Sequence, residues 1–144
     1  MRMLFVVTTL LIASTCSAAD KCSDADAQVA ETTTGLMKTW SAIYSDFKSY
    51  GRCDDGGIAE GFTEAVVHHL ASKWNSLPKV AALVKKDPAF RTFFLKHIDA
   101  SADTDELRKI KTLAQSQCPE NLRELCTAIQ ASAGRAISES PNVP

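Results

Sequence analysis

The chain has 144 residues, 45% of them hydrophobic, and its 16 lysines and arginines against 17 acidic residues give a net charge of −1 at pH 7. This length and composition predict one globular domain of ordinary size. The near-neutral charge excludes the basic excess that binding to a nucleic-acid backbone requires, so no nucleic-acid partner is expected.

Residues 1–19 have the pattern of a cleaved export signal. A positively charged start precedes an apolar run from Leu4 to Ala13, and small residues lead up to a cleavage point after Ala19. The run is far shorter than the ~20 apolar residues of a membrane-spanning helix. We therefore expect a mature chain that is periplasmic or secreted, with no membrane span. A lipid anchor on Cys16 is the alternative, but the residues before it fit that pattern poorly.

Four cysteines follow the predicted cleavage point, namely Cys22, Cys53, Cys118 and Cys126. An even number in an exported chain indicates two disulfides. A helix that begins at Pro119 would hold Cys118 and Cys126 too far apart, at about 1.5 Å per residue. Of the three possible pairings this disfavours one and leaves two, and we predict the one that joins Cys53 to Cys118 and Cys22 to Cys126. Free thiols are the alternative, and a zinc site is disfavoured because no C-x-x-C pair is present.

After Cys22, apolar residues recur with a period near 3.6 and almost never alternate, which predicts an all-α, single-domain bundle of five or six helices over residues 20–137. The first helix is expected from Asp24 to Tyr50, with a possible break at Gly35, where three threonines and a glycine lower helix propensity. Its apolar stripe consists of Val29, Thr33, Leu36, Met37, Trp40, Ile43, Tyr44, Phe47 and Tyr50.

A central helix is predicted within Cys53–Trp74, after an Asp-Asp-Gly-Gly turn. Its inner face carries Ile58, Phe62, Val66, His69, Leu70 and Lys73. Four more helices are expected, of which the second begins with Asp87 as its cap and the third with Asp103. They cover about 77–86, 88–98, 104–117 and 119–137, and residues 138–144 are predicted to form a flexible tail.

Two histidine groupings are candidates for chemistry. His69 and His97 both fall within apolar stripes, so they are either core histidines or a pair that meets across the bundle and holds a metal. Glu64 and His68 are one turn apart on the other side of the central helix, with Glu60 a further turn back. This acid–imidazole face is either solvated or metal-binding, and it lacks the second histidine of an H-E-x-x-H helix.

The acidic loops are the candidates for partner contact, because loops on a rigid scaffold concentrate binding residues. They carry Asp54 and Asp55 in one loop and Asp99, Asp103 and Asp105 in the other. The second loop alternates acids like a calcium loop, but it lacks the turn glycine and the final glutamate. No nucleophile elbow, phosphate loop or unpaired cysteine is visible, which favours a non-enzymatic function without a cofactor.

Short motifs between about Tyr50 and Ile129 resemble a group of small exported helical bacterial proteins of no assigned function. These motifs are Arg52-Cys53-Asp54-Asp55-Gly56, Ala59-Glu60-Gly61, Trp74, Phe94-Leu95-Lys96-His97-Ile98-Asp99, Thr104-Asp105-Glu106-Leu107, Cys118-Pro119 and Leu125-Cys126. More distantly, the layout is similar to periplasmic immunity proteins that neutralise type VI secretion amidase effectors. That resemblance implies a helical dimer that inhibits a cell-wall hydrolase by inserting an interhelical loop into its active site.

The sequence therefore predicts an exported protein-binding protein, of an inhibitory or immunity kind. The alternative is a metal-binding or hydrolytic protein that uses His69 and His97, or Glu64 and His68.

Overall fold

The computed structural model describes residues 21–140, and within that range the chain forms seven α-helices and no strand. The helices are α1 (Asp24–Thr34), α2 (Trp40–Tyr50), α3 (Gly56–Ser72), α4 (Leu77–Lys86), α5 (Pro88–Lys96), α6 (Thr104–Ser116) and α7 (Arg123–Glu139). The all-α prediction is confirmed, with one helix more than expected. The predicted export signal lies outside the described residues. None of the helices in residues 21–140 is long and apolar enough to span a bilayer.

The additional helix comes from the break at Gly35. The first predicted helix is divided into α1 and α2, and Thr39 starts α2 by accepting a hydrogen bond from the backbone N–H of Ala42. The non-helical residues between them reset the helical phase. As a result the predicted apolar stripe is wrong in part, because Val29 is 45% exposed and Leu36 is 67% exposed.

Helix α3 lies at the centre of the fold and packs against α1, α2 and α6. It begins where predicted, because Asp55 caps it by accepting a hydrogen bond from the Gly56 N–H, and Gly56 has a positive φ of 50° that favours glycine. The predicted inner face is buried except for Lys73, which follows the last residue of the helix.

An aromatic cluster joins α5 to α2 and α3. The fully buried Phe90 ring lies 4.9 Å from the Tyr44 ring and 5.3 Å from the Phe47 ring, between centroids. Asp87 starts α5 as predicted, by accepting hydrogen bonds from the Ala89 and Phe90 N–H groups. The same carboxylate accepts from the Tyr44 hydroxyl, so one residue caps α5 and ties it to α2.

Helices α6 and α7 pack side by side along their length. Asp103 caps α6 as predicted, by accepting from the Glu106 N–H, and Leu107, Ile110 and Ala114 are buried. Helix α7 continues to Glu139, past the predicted end at residue 137. Residues 141–144 of the predicted tail lie outside the described range.

Both disulfide pairings predicted from the sequence are wrong. The bonds join Cys22 to Cys53, with Cα atoms 4.9 Å apart, and Cys118 to Cys126, with Cα atoms 6.1 Å apart. The reason is that helix α7 begins only at Arg123. An extended Pro119 and a short 3₁₀ turn precede it, so the chain doubles back instead of rising along a helix between the two cysteines.

The crossing of α1 and α3 depends on a glycine. A Cβ atom at Gly61 would lie 2.7 Å from the Cβ of Thr34, which is closer than two carbon atoms can approach. Gly61→Ala would stabilise an unconstrained helix by about 0.5–1 kcal/mol. Here we expect it to lower the free energy of unfolding by about 1–3 kcal/mol through overpacking.

The matched variant for this test moves the small residue to the other helix. Gly61→Ala combined with Thr34→Gly should recover much of the lost stability in urea unfolding followed by circular dichroism. An unchanged or more stable Gly61→Ala single variant would contradict the close approach.

Candidate functional site

An open cleft of about 800 Å³ lies between α3 and the segment that leads into α6. Helix α3 supplies Glu60, Glu64 and His68 at steps of four residues, which places them on one face. Helix α6 supplies Asp103, at its cap, and Glu106, in its first turn. The cleft therefore brings together the two acidic features that the sequence shows separately.

Charge in the cleft is of one sign. Four carboxylate side chains line it, and none of its described lining residues is a lysine or an arginine. Concentrated charge of one sign in a concave surface attracts the opposite charge and steers its approach. The cleft is chemically suited to a basic group.

His68 pairs across the cleft. Its Nδ1 lies 2.9 Å from Oε1 of Glu106, and both side chains are partly exposed. Glu106 therefore contacts α3 instead of closing a capping box on Asp103. An exposed pair of this kind contributes about 0–1 kcal/mol, so its main effect is to orient the two side chains.

His69 and His97 do not form a common site. His69 donates from Nδ1 to the Ala65 carbonyl oxygen, at 3.0 Å, and its ring packs edge-on against Trp40. The His97 ring nitrogens face Thr63 and Asp54 instead. Among residues 21–140 no group of three or more His, Cys, Asp or Glu side chains is placed to hold a metal ion.

A second polar cluster surrounds His97, whose side chain is 1% exposed. Its Nδ1 lies 3.0 Å from the Thr63 hydroxyl oxygen, which lies 2.8 Å from Oδ2 of Asp99. Its Nε2 lies 3.2 Å from Oδ1 of Asp54, and Lys96 binds the other oxygen of that carboxylate at 2.6 Å. The cluster joins the start and middle of α3 to the end of α5.

Burial shifts the pKa values of this cluster, in competition with its neighbours. Burial lowers the pKa of His97, and the Asp54 carboxylate opposes that shift without reversing it. Burial also acts to raise the pKa of Asp99, but hydrogen bonds from Ser101 and Thr63 outweigh it, so the pKa lies below the ordinary aspartate value. Asp99 is therefore ionised at neutral pH.

The five predicted partner-contact residues have different environments. Asp54 has a side chain only 10% exposed and is bound to Lys96, and Asp99 accepts hydrogen bonds from Ser101 and Thr63. Asp55 and Asp103 are helix caps, but Asp103 also lines the cleft. Asp105 is 89% exposed and lies 2.9 Å from Arg108. Their role in binding stays a prediction.

The sequence prediction of partner contacts did not include Glu60, Glu64 or His68, and it included Glu106 only as the end of the acidic loop that starts at Asp99. The four-residue spacing on α3 was the available signal, since it places three of them on one polar face. No local signal shows that Glu106 lies opposite them.

The fold and the cleft together define a disulfide-linked helical domain with a concave acidic surface. Comparison of the chain with protein-family models, curated proteins and solved structures found no match.

Proposed function

We propose that this protein is exported and binds another protein through the acidic cleft between α3 and α6, as an inhibitor or immunity-type protein against a cell-wall-degrading effector. The observation that carries the proposal is the convergence of Glu60, Glu64, Asp103 and Glu106 in one open cleft. Complementary charge across an interface favours fast association and selects against wrong partners. The expected partner surface is a basic segment that projects into the cleft.

Export is supported by two independent features. The first is the signal pattern of residues 1–19, and the second is the presence of two disulfides in residues 21–140. Disulfides form and persist in oxidising compartments outside the cytosol. The cell-wall-degrading effector as target follows from the distant resemblance to periplasmic immunity proteins.

The test is capture of a partner by the immobilised mature chain from a periplasmic or culture-medium extract, followed by affinity measurement with the purified partner. We expect Glu60→Gln combined with Glu64→Gln to weaken binding about five- to tenfold, because two exposed ion pairs contribute about 1 kcal/mol or slightly more in total. Binding should also weaken as salt is raised.

The matched control is Glu120→Gln combined with Glu124→Gln. It removes the same charge from the 3₁₀ turn before α7 and from the first turn of α7, away from the lining of the cleft. This variant should bind within about twofold of the original. Equal losses in both double variants would contradict binding at the cleft. Failure to recover any partner, together with turnover of a cell-wall substrate or stoichiometric zinc or copper in tag-free protein, would favour the hydrolytic or metal-binding alternative.

A further inference from the structure

A continuous chain of polar groups connects the buried His97 to the cleft. It runs from Asp54 through His97, Thr63 and Asp99 to Ser101, and Ser101 lines the cleft. His97 and Thr63 are buried. The positions of the protons in this chain follow from counting donors and acceptors.

Asp99 fixes the proton of Thr63. One oxygen of Asp99 accepts from the Ser101 N–H and hydroxyl, and the other accepts from the Thr63 hydroxyl. A hydroxyl has a single proton to donate. Thr63 can therefore only accept from His97, so Nδ1 of His97 carries a hydrogen.

The other side of the ring has no such hydrogen bond. Nε2 of His97 and Oδ1 of Asp54 are 3.2 Å apart, both are buried, and neither has a hydrogen-bond partner among the described residues. With Nδ1 protonated, neutral His97 presents a lone pair from Nε2 to the Asp54 carboxylate. Two acceptors then face each other at a distance that one proton would bridge.

Few charges surround this gap. Asp54 precedes α3, Lys96 is in the last turn of α5, and Asp99 follows that helix. Among residues 21–140, Lys96 is the one cation that acts against a positive charge on His97, and Asp54 and Asp99 favour that charge. The ring also packs against two apolar rings, with the Phe93 centroid at 4.2 Å and the Phe62 centroid at 5.6 Å.

We infer that the gap between Asp54 and His97 is a proton-binding site that fills on acidification and makes the packing of α5 against α3 sensitive to pH. A proton from solvent binds Nε2, the ring becomes an imidazolium, and the facing lone pairs become an ion pair with Asp54. The proton-binding site is inferred from the geometry of Asp54 and His97 and does not depend on the proposed function.

The pH range follows from the environment of the ring. Burial places the pKa of His97 below the ordinary value of about 6.5, so the folded protein takes up this proton later than the unfolded chain does. The contribution of His97 to the free energy of unfolding is therefore fully present above pH of about 6.5. It decreases as the pH falls toward the pKa of His97 in the folded state, and it does not change further below that pKa.

The test is a pH titration of the ring nitrogens of the ¹⁵N-labelled mature chain by long-range nitrogen–proton NMR. At pH 7 we expect His97 to be protonated at Nδ1 and bare at Nε2, and to gain a proton at Nε2 below pH 6.5. Protonation of both nitrogens at pH 7, or a hydrogen on Nε2 alone, would overturn the inference. This NMR measurement requires neither a variant nor a binding partner.

Two variants test the role of the facing charge. Asp54→Asn removes the carboxylate that favours the imidazolium and should lower the titration midpoint of His97 by about one pH unit or more. Lys96→Met removes the opposing cation and should raise the midpoint. An unchanged midpoint in Asp54→Asn would show that the proton does not bind between the two groups.

A third variant tests the link to the cleft. The backbone amide signal of Ser101 should follow the same midpoint as His97 in the original chain, and Thr63→Val should abolish that shared transition because it removes the hydroxyl between them. A Ser101 transition that survives in Thr63→Val would contradict the connection.

Discussion

Replacing Phe90 with alanine is expected to lower the free energy of unfolding by about 3–5 kcal/mol. Phe90 is fully buried, and its ring contacts aromatic rings from two helices. Four aromatic rings lie within 6.4 Å of the Phe90 ring between centroids: Tyr44 and Phe47 on α2, and Phe93 and Phe94 on α5 itself. Rigid rings held from two sides cannot collapse fully into the space that the substitution leaves, so the cavity cost adds to the lost burial.

The measurement is urea unfolding followed by circular dichroism, with an unchanged slope against denaturant as the check on two-state behaviour. Phe90→Leu is the matched control, because it keeps most of the side-chain volume. Like other conservative core exchanges, it should lower the free energy of unfolding by less than about 1.5 kcal/mol. A loss below about 1.5 kcal/mol for Phe90→Ala would contradict the packing around this ring.

The two disulfides are expected to contribute unequally to stability. The Cys22–Cys53 bond closes a separation of 31 residues and the Cys118–Cys126 bond a separation of 8 residues. The loop-entropy relation gives about 3.7 kcal/mol for the longer loop and about 2.6 kcal/mol for the shorter one. Both act mainly by restricting the unfolded chain, so the difference follows from loop length.

The comparison uses two double variants, Cys22→Ala with Cys53→Ala, and Cys118→Ala with Cys126→Ala. Alanine avoids placing a hydroxyl group in the buried positions of Cys53 and Cys126. We expect the first variant to lose about 1 kcal/mol more than the second in the same unfolding assay. A larger loss in the second variant, or a peptide map that joins Cys53 to Cys118, would contradict the pairing.

Local signals explain why most of the helices could be predicted. The Asp87-Pro88 start of α5 and the Asp103 cap of α6 depend on residues within one turn, and both have the predicted geometry. The additional helix also had a local cause, at Gly35. Val29 and Leu36 were wrongly predicted to be buried. The predicted stripe assumed one continuous helical phase, and the break between α1 and α2 does not preserve that phase.

The disulfides and the polar cluster depend on contacts between distant parts of the chain. No spacing pattern in the sequence indicates the turn that brings Cys118 to Cys126. The same is true of the ion pair between Asp54 and Lys96. The same applies to Glu106, which lies opposite His68 only because α3 packs against α6. Spacing predicted the polar face of α3, and tertiary packing supplied the opposite wall of the cleft.

Position-specific cross-linking tests binding at the cleft most directly. A photo-reactive side chain at Glu64, which lines the cleft, is compared with the same group at the exposed Lys79 on α4. Each variant of the chain from residue 20 onward is incubated with the captured partner. We expect a covalent adduct from position 64 that weakens as salt is raised, and none from position 79. An adduct from position 79 but not from position 64 would contradict the proposed binding surface.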